Sequence, residues 1–268
     1  KVKKIDGFGF KKEMTIGKKC GEKKSNKTHM NCLVIGGGIA GASIAYSLKT
    51  RGVNLRIIEK ENGLAYGASG NLAAVQFPRL TTVNTPAGRL SLSCYRYSRN
   101  LARELGVALE DKSIILGLPA REKIKQKKLL SQGWPEDLIR KLREEDELEI
   151  TNSIIGIDGI VHDFGGTIRP IEFVHKLICN NIERVLGNEI IEIIRSNNGW
   201  SVKLSNNNII HAEILILSCS EGLRKLKQTS VFNLQYTQGQ ITYLDNNKLN
   251  NIPKTNFSFS GYVTPPVE

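Results

Sequence analysis

A chain of 268 residues with 40% hydrophobic side chains holds one large α/β domain or one and a half ordinary ones, and its composition excludes intrinsic disorder. Thirty-eight Lys and Arg against 26 Asp and Glu leave a net charge of +12, which suits anionic partners (nucleic acid, a membrane surface, acidic substrates) without choosing among them. Five scattered cysteines with no C-x-x-C pair argue against a zinc site or disulfide framework, and no apolar run reaches the roughly 18 residues of a membrane span, so a soluble cytoplasmic protein without membrane contact is expected.

The first 27 residues carry ten lysines against Asp6, Glu13 and Glu22, a net +7 that is more than half of the excess. Residues 31–35, NCLVI, then read as a short buried strand running into GGGIAGASIAYSLKTRG, whose apolar residues fall at helical spacing. VNLRIIEK (53–60) reads as a second strand, which gives a β-turn-α-β unit of about thirty residues. GASGNLAAVQFPRL (67–80) is too rich in Gly, Ser and Asn to start as regular structure. A helix is expected from about Thr85 to Leu105. The charged stretch 119–149 predicts a solvent-facing layer, with a helix after GWPED in which Pro135 takes the first turn and DLIRKLREEDELEI follows. GTIRPIEFVHKLICNNIERVL predicts an amphipathic helix on Phe173, Leu177, Ile178 and Ile182. The alternation in EIIEIIRSNNGWSVKLSNNNIIHAEILIL predicts a β-meander ending in a buried strand, and GQITYL and FSFSGYVTP predict further strands.

Gly36, Gly38 and Gly41 form G-x-G-x-x-G between a strand and a helix start. The first glycine allows the tight turn, the second lets backbone approach a pyrophosphate, and the third permits close helix–strand packing; the helix N-terminus adds N–H donors. Glu59 closes the second strand 18 residues past Gly41, placed to accept both ribose hydroxyls of an adenosine and to repel a 2′-phosphate. The four histidines (29, 162, 175, 211) have no paired carboxylate or cysteine that would mark a catalytic or metal site.

The loop after Glu59 resembles the one that runs beneath the flavin in D-amino-acid-oxidase-like flavoenzymes. Gly67, Ala68 and Gly70 let backbone come close, and the Ser69 and Asn71 side chains can bond phosphate or ring atoms. GASGNLAAVQFPRL is more similar still to the C-terminal FAD-dependent domain of the bifunctional tRNA 5-methylaminomethyl-2-thiouridine biosynthesis proteins (the MnmC family). GGTIRPIEFVHKL, NNGWSVKL, QGQITYL and FSFSGYVTP agree with it in order, and GFGFKKEMTIG is similar to the segment closing that family's methyltransferase domain. The resemblance implies an α/β fold: a Rossmann-like FAD-binding domain with an inserted α+β antiparallel-sheet substrate domain, expected to be truncated at its C-terminus. Residues 1–27 are then the tail of a methyltransferase domain and a linker, and 28–268 an incomplete FAD-dependent oxidoreductase domain. Its Rossmann-like parts are expected at about 31–80 and 151–222, its substrate-layer parts at about 85–150 and 230–268.

The resemblance further implies that the flavoenzyme removes the carboxymethyl group from 5-carboxymethylaminomethyl-2-thiouridine at the tRNA wobble position. A fused methyltransferase domain, outside this chain and dependent on S-adenosylmethionine, then methylates the aminomethyl product. Physically the first step is an amine oxidation in which FAD carries the electron chemistry, so no acid–base pair is needed. The cofactor residues implied are Gly36, Gly37, Gly38, Ile39, Ala40, Gly41, Glu59, Lys60, Gly67, Ala68, Ser69, Gly70 and Asn71, with the backbone of Ile191 near the adenine. An arginine fork suits the substrate carboxylate, and Arg79 and Arg169, with the Tyr262 hydroxyl, are the candidate anchors. No metal is expected. SCSEG departs from the pattern: Ser218, Cys219 and Ser220 stand where a glycine is expected, so the turn must crowd the cofactor or shift to Gly222. Two alternatives remain, a small-molecule amine or glycine oxidase of the same fold and a non-catalytic tRNA-binding remnant.

Overall fold

The structure, a computed structural model, describes residues 30–109, 112–151, 156–178, 181–248 and 252–267; the basic leader and the roles expected of residues 1–27 lie outside them. In chain order the first elements are β1 (Asn31–Ile35), α1 (Ile39–Lys49), β2 (Asn54–Ile58), β3 (Ala74–Gln76), α2 (Pro86–Glu104), β4 (Ser113–Leu116), α3 (Ala120–Leu130), β5 (Arg140–Lys141) and α4 (Glu144–Thr151). There follow β6 (Gly159–His162), β7 (Gly166–Ile168), α5 (Pro170–Leu177), β8 (Glu183–Val185), β9 (Ile190–Ser196), β10 (Gly199–Leu204), β11 (Ile209–Ala212), β12 (Ile214–Leu217), β13 (Asn256–Ser258) and β14 (Tyr262–Val263). The described residues of 30–72 and 170–243 form one compact unit, and those of 73–169 and 244–267 form another.

The first is a parallel-sheet unit. Its four strands run in the order β12-β1-β2-β8, and every neighbouring pair is parallel. β1 reads as an unbroken apolar run because both of its faces are covered. Helix α1 packs on β1 and β2 and against α5. Leu33, Ile35 and Ile58 instead join Ile193, Val202 and Leu204 of the antiparallel β9-β10-β11 meander in one buried cluster. Each such side chain contributes about 1.5–3 kcal/mol by leaving water. The sequence-adjacent strand β2 lies on one side of β1 and the distant β12 on the other. The strand order therefore reverses between β1 and β12, the place where open α/β sheets bind ligands.

The mixed-sheet unit carries five strands in the order β14-β13-β4-β6-β5, with β3 and β7 as a separate antiparallel ladder. β4 pairs parallel with β13 and antiparallel with β6. Its start is held by buried polar groups: Ser113 Oγ accepts from Gly166 N at 2.8 Å, while Thr255 Oγ1 and Asn256 Nδ2 donate to Lys112 O at 2.7 and 3.1 Å. Leu92 and Tyr95 of α2 and Leu129 of α3 pack with Leu138, Ile139 and Ile160. Thr85 caps α2, its hydroxyl accepting from Gly88 N at 3.0 Å, and Pro86 takes the first helical position as expected of a residue without a free N–H.

Several expectations change. The single helix expected after GWPED does not form: Arg140–Lys141 pair with β6, and α4 starts only at Glu144. Asp146 explains the new start, since its Oδ2 accepts from Arg143 N at 3.0 Å, half of a capping box. Residues 120–130, where the sequence pattern predicts no helix, form α3. The helix read through Ile182 ends at Leu177, and Glu183–Val185 become β8, parallel to β2. Residues 239–244 form no strand, and Ile241, Tyr243 and Leu244 are exposed. Residues 156–169, read as Rossmann-like, carry β6 and β7, which pair with β4, β5 and β3 in the mixed-sheet unit.

Candidate functional site

At the strand-order reversal the chain leaves β1 through Gly36, whose φ of +108° only glycine adopts without strain. A Cβ there would stand 2.6 Å from Ser218 O at the end of β12. Gly41, buried in the first turn of α1, has no room either: a Cβ would collide with the Gly36 carbonyl oxygen and come within 2.9 Å of Ser218 Oγ. Ser218 Oγ donates to Ile35 O at 2.7 Å, and so stitches β12 to the entrance of the glycine turn. Gly38 is the N-cap of α1 and, having no side chain, makes no cap hydrogen bond of its own. A Cβ on Gly38 would meet Ser69 alone, so the backbone here is open to a close-lying anion.

Glu59 sits at the end of β2 with both carboxylate oxygens engaged. Oε2 accepts from Gly37 N at 2.6 Å and Oε1 from Glu61 N at 3.0 Å. It holds the glycine turn as well as facing outward. Each oxygen keeps a second acceptor position for a hydroxyl donor. Ser69 Oγ accepts from Ile39 N at 2.9 Å, which brings the loop 61–72 onto the N-terminus of α1. Within that loop Gly70 N donates to Gly67 O at 2.8 Å, with Gly67 and Ala68 exposed and Asn71 half-buried. Ala40 is exposed beside the turn. Lys60 points into a surface ion pair, 3.7 Å from Glu61 and 3.6 Å from Glu221. Asn188 N donates to Glu59 O at 3.1 Å, so the start of β9 runs along the same edge. There Ile191 is the extra residue of a bulge: Glu192 pairs with Lys203 and Ile190 with Leu204, leaving Ile191 exposed between them.

The SCSEG turn does not shift to Gly222. Ser220, not Gly222, takes the left-handed conformation, at φ +46°. Burial raises the Cys219 thiol above its ordinary range, and the side chain packs on the meander core. Ser220→Gly is expected to stabilise the protein by about 0.5–1 kcal/mol, because a left-handed L-residue costs about 1–2 kcal/mol and glycine's extra chain entropy takes back part of that. Chemical denaturation of the two proteins checks it.

The three anchor candidates belong to the mixed-sheet unit. Arg79 is exposed and lines a cavity there; Arg169 is half-buried, its backbone N–H donating to Val107 O at 3.1 Å; Tyr262 is exposed on β14. Neither Arg169 nor Tyr262 lines that cavity. No motif announces the backbone contacts of His162 with Leu138 O or of Ser218 with Ile35 O. Among the described residues no group of three or more His, Cys, Asp or Glu could hold a metal ion. No helix among them is long and apolar enough to cross a membrane.

The model of the FAD dependent oxidoreductase family matches residues 31–268. The chain belongs to that family. The fold is shared with solved structures: the crystal structure of glycine oxidase from Geobacillus kaustophilus superposes with a TM-score of 0.63 at 18% identity, covering 75% of this chain and 58% of that one. In sequence the chain is 26% identical over 272 residues to the tRNA 5-methylaminomethyl-2-thiouridine biosynthesis bifunctional protein MnmC of Methylobacillus flagellatus, covering 100% of this chain. It is 26% identical over 279 residues to the protein of that name from Pseudomonas aeruginosa, covering 99%. The chain spans 42% of the length of these curated relatives. The glycine turn, the N-terminus of α1 and the Glu59 carboxylate fit the pyrophosphate and ribose of FAD. Gly41→Ala is expected to cost about 1–3 kcal/mol of stability, since a packed backbone must move to admit one carbon. Denaturation and the flavin absorbance of the purified protein both report it, and both are expected to fall.

Proposed function

We propose that this chain is the amine-oxidising part of a bifunctional tRNA-modifying protein. It removes the carboxymethyl group from 5-carboxymethylaminomethyl-2-thiouridine at the wobble position, and a fused methyltransferase domain using S-adenosylmethionine then methylates the aminomethyl product. One observation carries the reading: the likeness to the bifunctional relatives covers the whole chain, including the residues before Asn31 where the oxidoreductase family model begins. A stand-alone oxidase has no need of that leader.

In this reading Gly36, Gly37, Gly38, Ile39, Ala40 and Gly41 hold the pyrophosphate, and Glu59 takes the ribose hydroxyls with Lys60 beside it. Gly67, Ala68, Ser69, Gly70 and Asn71 run under the flavin ring and ribityl chain, and the bulged backbone of Ile191 borders the adenine. Bound FAD supplies a two-electron acceptor for the hydride of the carboxymethyl α-carbon, and hydrolysis of the resulting imine gives the primary amine and glyoxylate. The protein's own task is to seat the amine unprotonated and to anchor its carboxylate. Arg79, Arg169 and Tyr262 are the anchors we assign, with Arg79 foremost because it is among the residues lining a cavity.

The test is turnover of tRNA bearing the carboxymethylaminomethyl group against turnover of free glycine and sarcosine. We expect the tRNA to be strongly preferred. Preference for the free amino acids, or purified protein without flavin absorbance, overturns the reading. Deleting residues 1–27 is expected to weaken tRNA binding about tenfold and to flatten its dependence on salt, because lysines on phosphates release counterions. A salt titration of the two proteins measures both.

A further inference from the structure

Within the mixed-sheet unit a cavity of about 410 Å³ is lined by the segment 77–81, the first turns of α3 and strands β4, β6 and β13. Its size falls in the roughly 300–1,000 Å³ range of small-molecule sites. Leu118, Leu129, Ile160 and Phe259 make much of the wall apolar.

The charge around it is unbalanced. Arg79, Arg121, Lys125 and Glu122 line it, and Lys125 is paired with Glu122 at 3.2 Å. Arg79 and Arg121 are exposed, and neither guanidinium has an ion-pair partner among the described residues. Two arginines without ion-pair partners among the residues lining a partly apolar cavity call for an anionic oxygen group on an apolar body.

The inner side has the opposite character. His162 lines the cavity while only 2% exposed, and its Nδ1 lies 2.8 Å from Leu138 O. A carbonyl can only accept, so Nδ1 carries the proton. Burial holds the ring neutral, its pKa pushed down to about 4. Nε2 is then a lone-pair acceptor, with no protein partner among the described residues. The Phe77 ring lies nearly parallel to the imidazole, centroids 5.8 Å apart and planes 4° off.

We propose that this cavity is a nucleotide pocket: a planar base enters with an N–H toward His162 Nε2, and an anionic arm on the ligand is gripped by Arg79 and Arg121. The choice of a uracil-type base rests on the function proposed above. The anion has two possible sources with the same chemistry, the carboxylate of a carboxymethylaminomethyl arm or the phosphate of the nucleotide itself.

Titration calorimetry on the flavin-loaded full chain decides it, with uridine 5′-monophosphate and 5-carboxymethylaminomethyluridine as separate probes. We expect at least one to bind, and whichever binds names the source of the anion. Arg121→Ala, on the exposed face of α3, is expected to weaken that binding about tenfold, the loss of one charge-assisted contact. Methylating N3 of the base, which removes its N–H, is expected to weaken it by a similar factor. Inorganic phosphate alone should bind less tightly than uridine 5′-monophosphate. Binding of neither probe, or binding indifferent to Arg121→Ala, overturns the pocket. Unaltered tRNA turnover by Arg121→Ala overturns it too while the tRNA reading stands. Arg121-dependent binding of a probe by a protein that ignores tRNA leaves the pocket standing and removes the tRNA reading.

Discussion

Replacing Arg140 by methionine is expected to lower stability by about 3 kcal/mol at neutral pH, the low end of the cost of breaking a buried charge pair. The Arg140 guanidinium makes two forks at once. Nη1 and Nη2 donate to Asp146 at 2.6 and 2.7 Å, while Nε and Nη2 donate to Asp163 at 2.7 and 3.0 Å. The side chains are 15% exposed for Arg140 and 9% for Asp146, so water screens the pairs little. Methionine keeps most of the volume but strands two carboxylates. Lysine keeps the charge yet cannot reach four oxygens, and an intermediate loss is expected. The pH dependence identifies the cause. The Arg140 hydrogen bonds hold the Asp146 carboxyl below the usual carboxylate range. Its stabilisation is therefore present above the unfolded-state pKa and lost as pH falls through the depressed folded value. The gap between wild type and Arg140→Met should narrow in acid, and denaturant titrations at pH 7 and at pH 3 read it directly.

Acid is expected to destabilise the protein through His162 as well. Its folded pKa of about 4 lies below the ordinary value of 6.5, with desolvation the largest cause. A depressed pKa means that the unfolded chain takes up the proton first. Stability is whole above pH 6.5 and falls between 6.5 and about 4, by about 3 kcal/mol in total. His162→Asn keeps a donor where Nδ1 faces Leu138 O but cannot titrate. The variant is expected to start less stable, having lost its packing on Phe77, and to lose less as the pH drops through that window. Parallel slopes for the two proteins would show that His162 is not the group responsible.

Local patterns were legible where the local residues decide the structure. NCLVI, the glycine turn and VNLRIIEK produced β1, α1 and β2, because Gly36 and Gly41 stand where any Cβ meets backbone. The meander was legible from its alternation and its Asn-rich turns. What was not legible depends on partners far away in sequence. Helical periodicity places REEDE in the middle of a helix, yet an acidic run suits a first turn, where it meets the positive end of the dipole; β6 draws Arg140–Lys141 into the sheet and leaves the helix to start at Glu144. GQITYL has strand periodicity without a strand beside it among the described residues, and period 2 states which side chains share a face, not whether a neighbour exists. At the site, Glu59 was expected to await a ribose, but its oxygens also hold the turn at Gly37 and Glu61. Ser218 went unread as a contributor because its contact is to a carbonyl 183 residues away.

That same separation sets the order in which the molecule can assemble. β1, α1 and β2 are close in sequence and can form early, as local contacts do, but the far wall of the glycine turn is β12, and Ser218 reaches Ile35 only after a closure spanning 183 positions. All of β3 to β7, which belong to the mixed-sheet unit, are synthesised in between. Cofactor uptake should therefore be a late event on the ribosome. Nascent chains arrested before β12 has emerged are expected to bind no flavin, however well β1, α1 and β2 have folded.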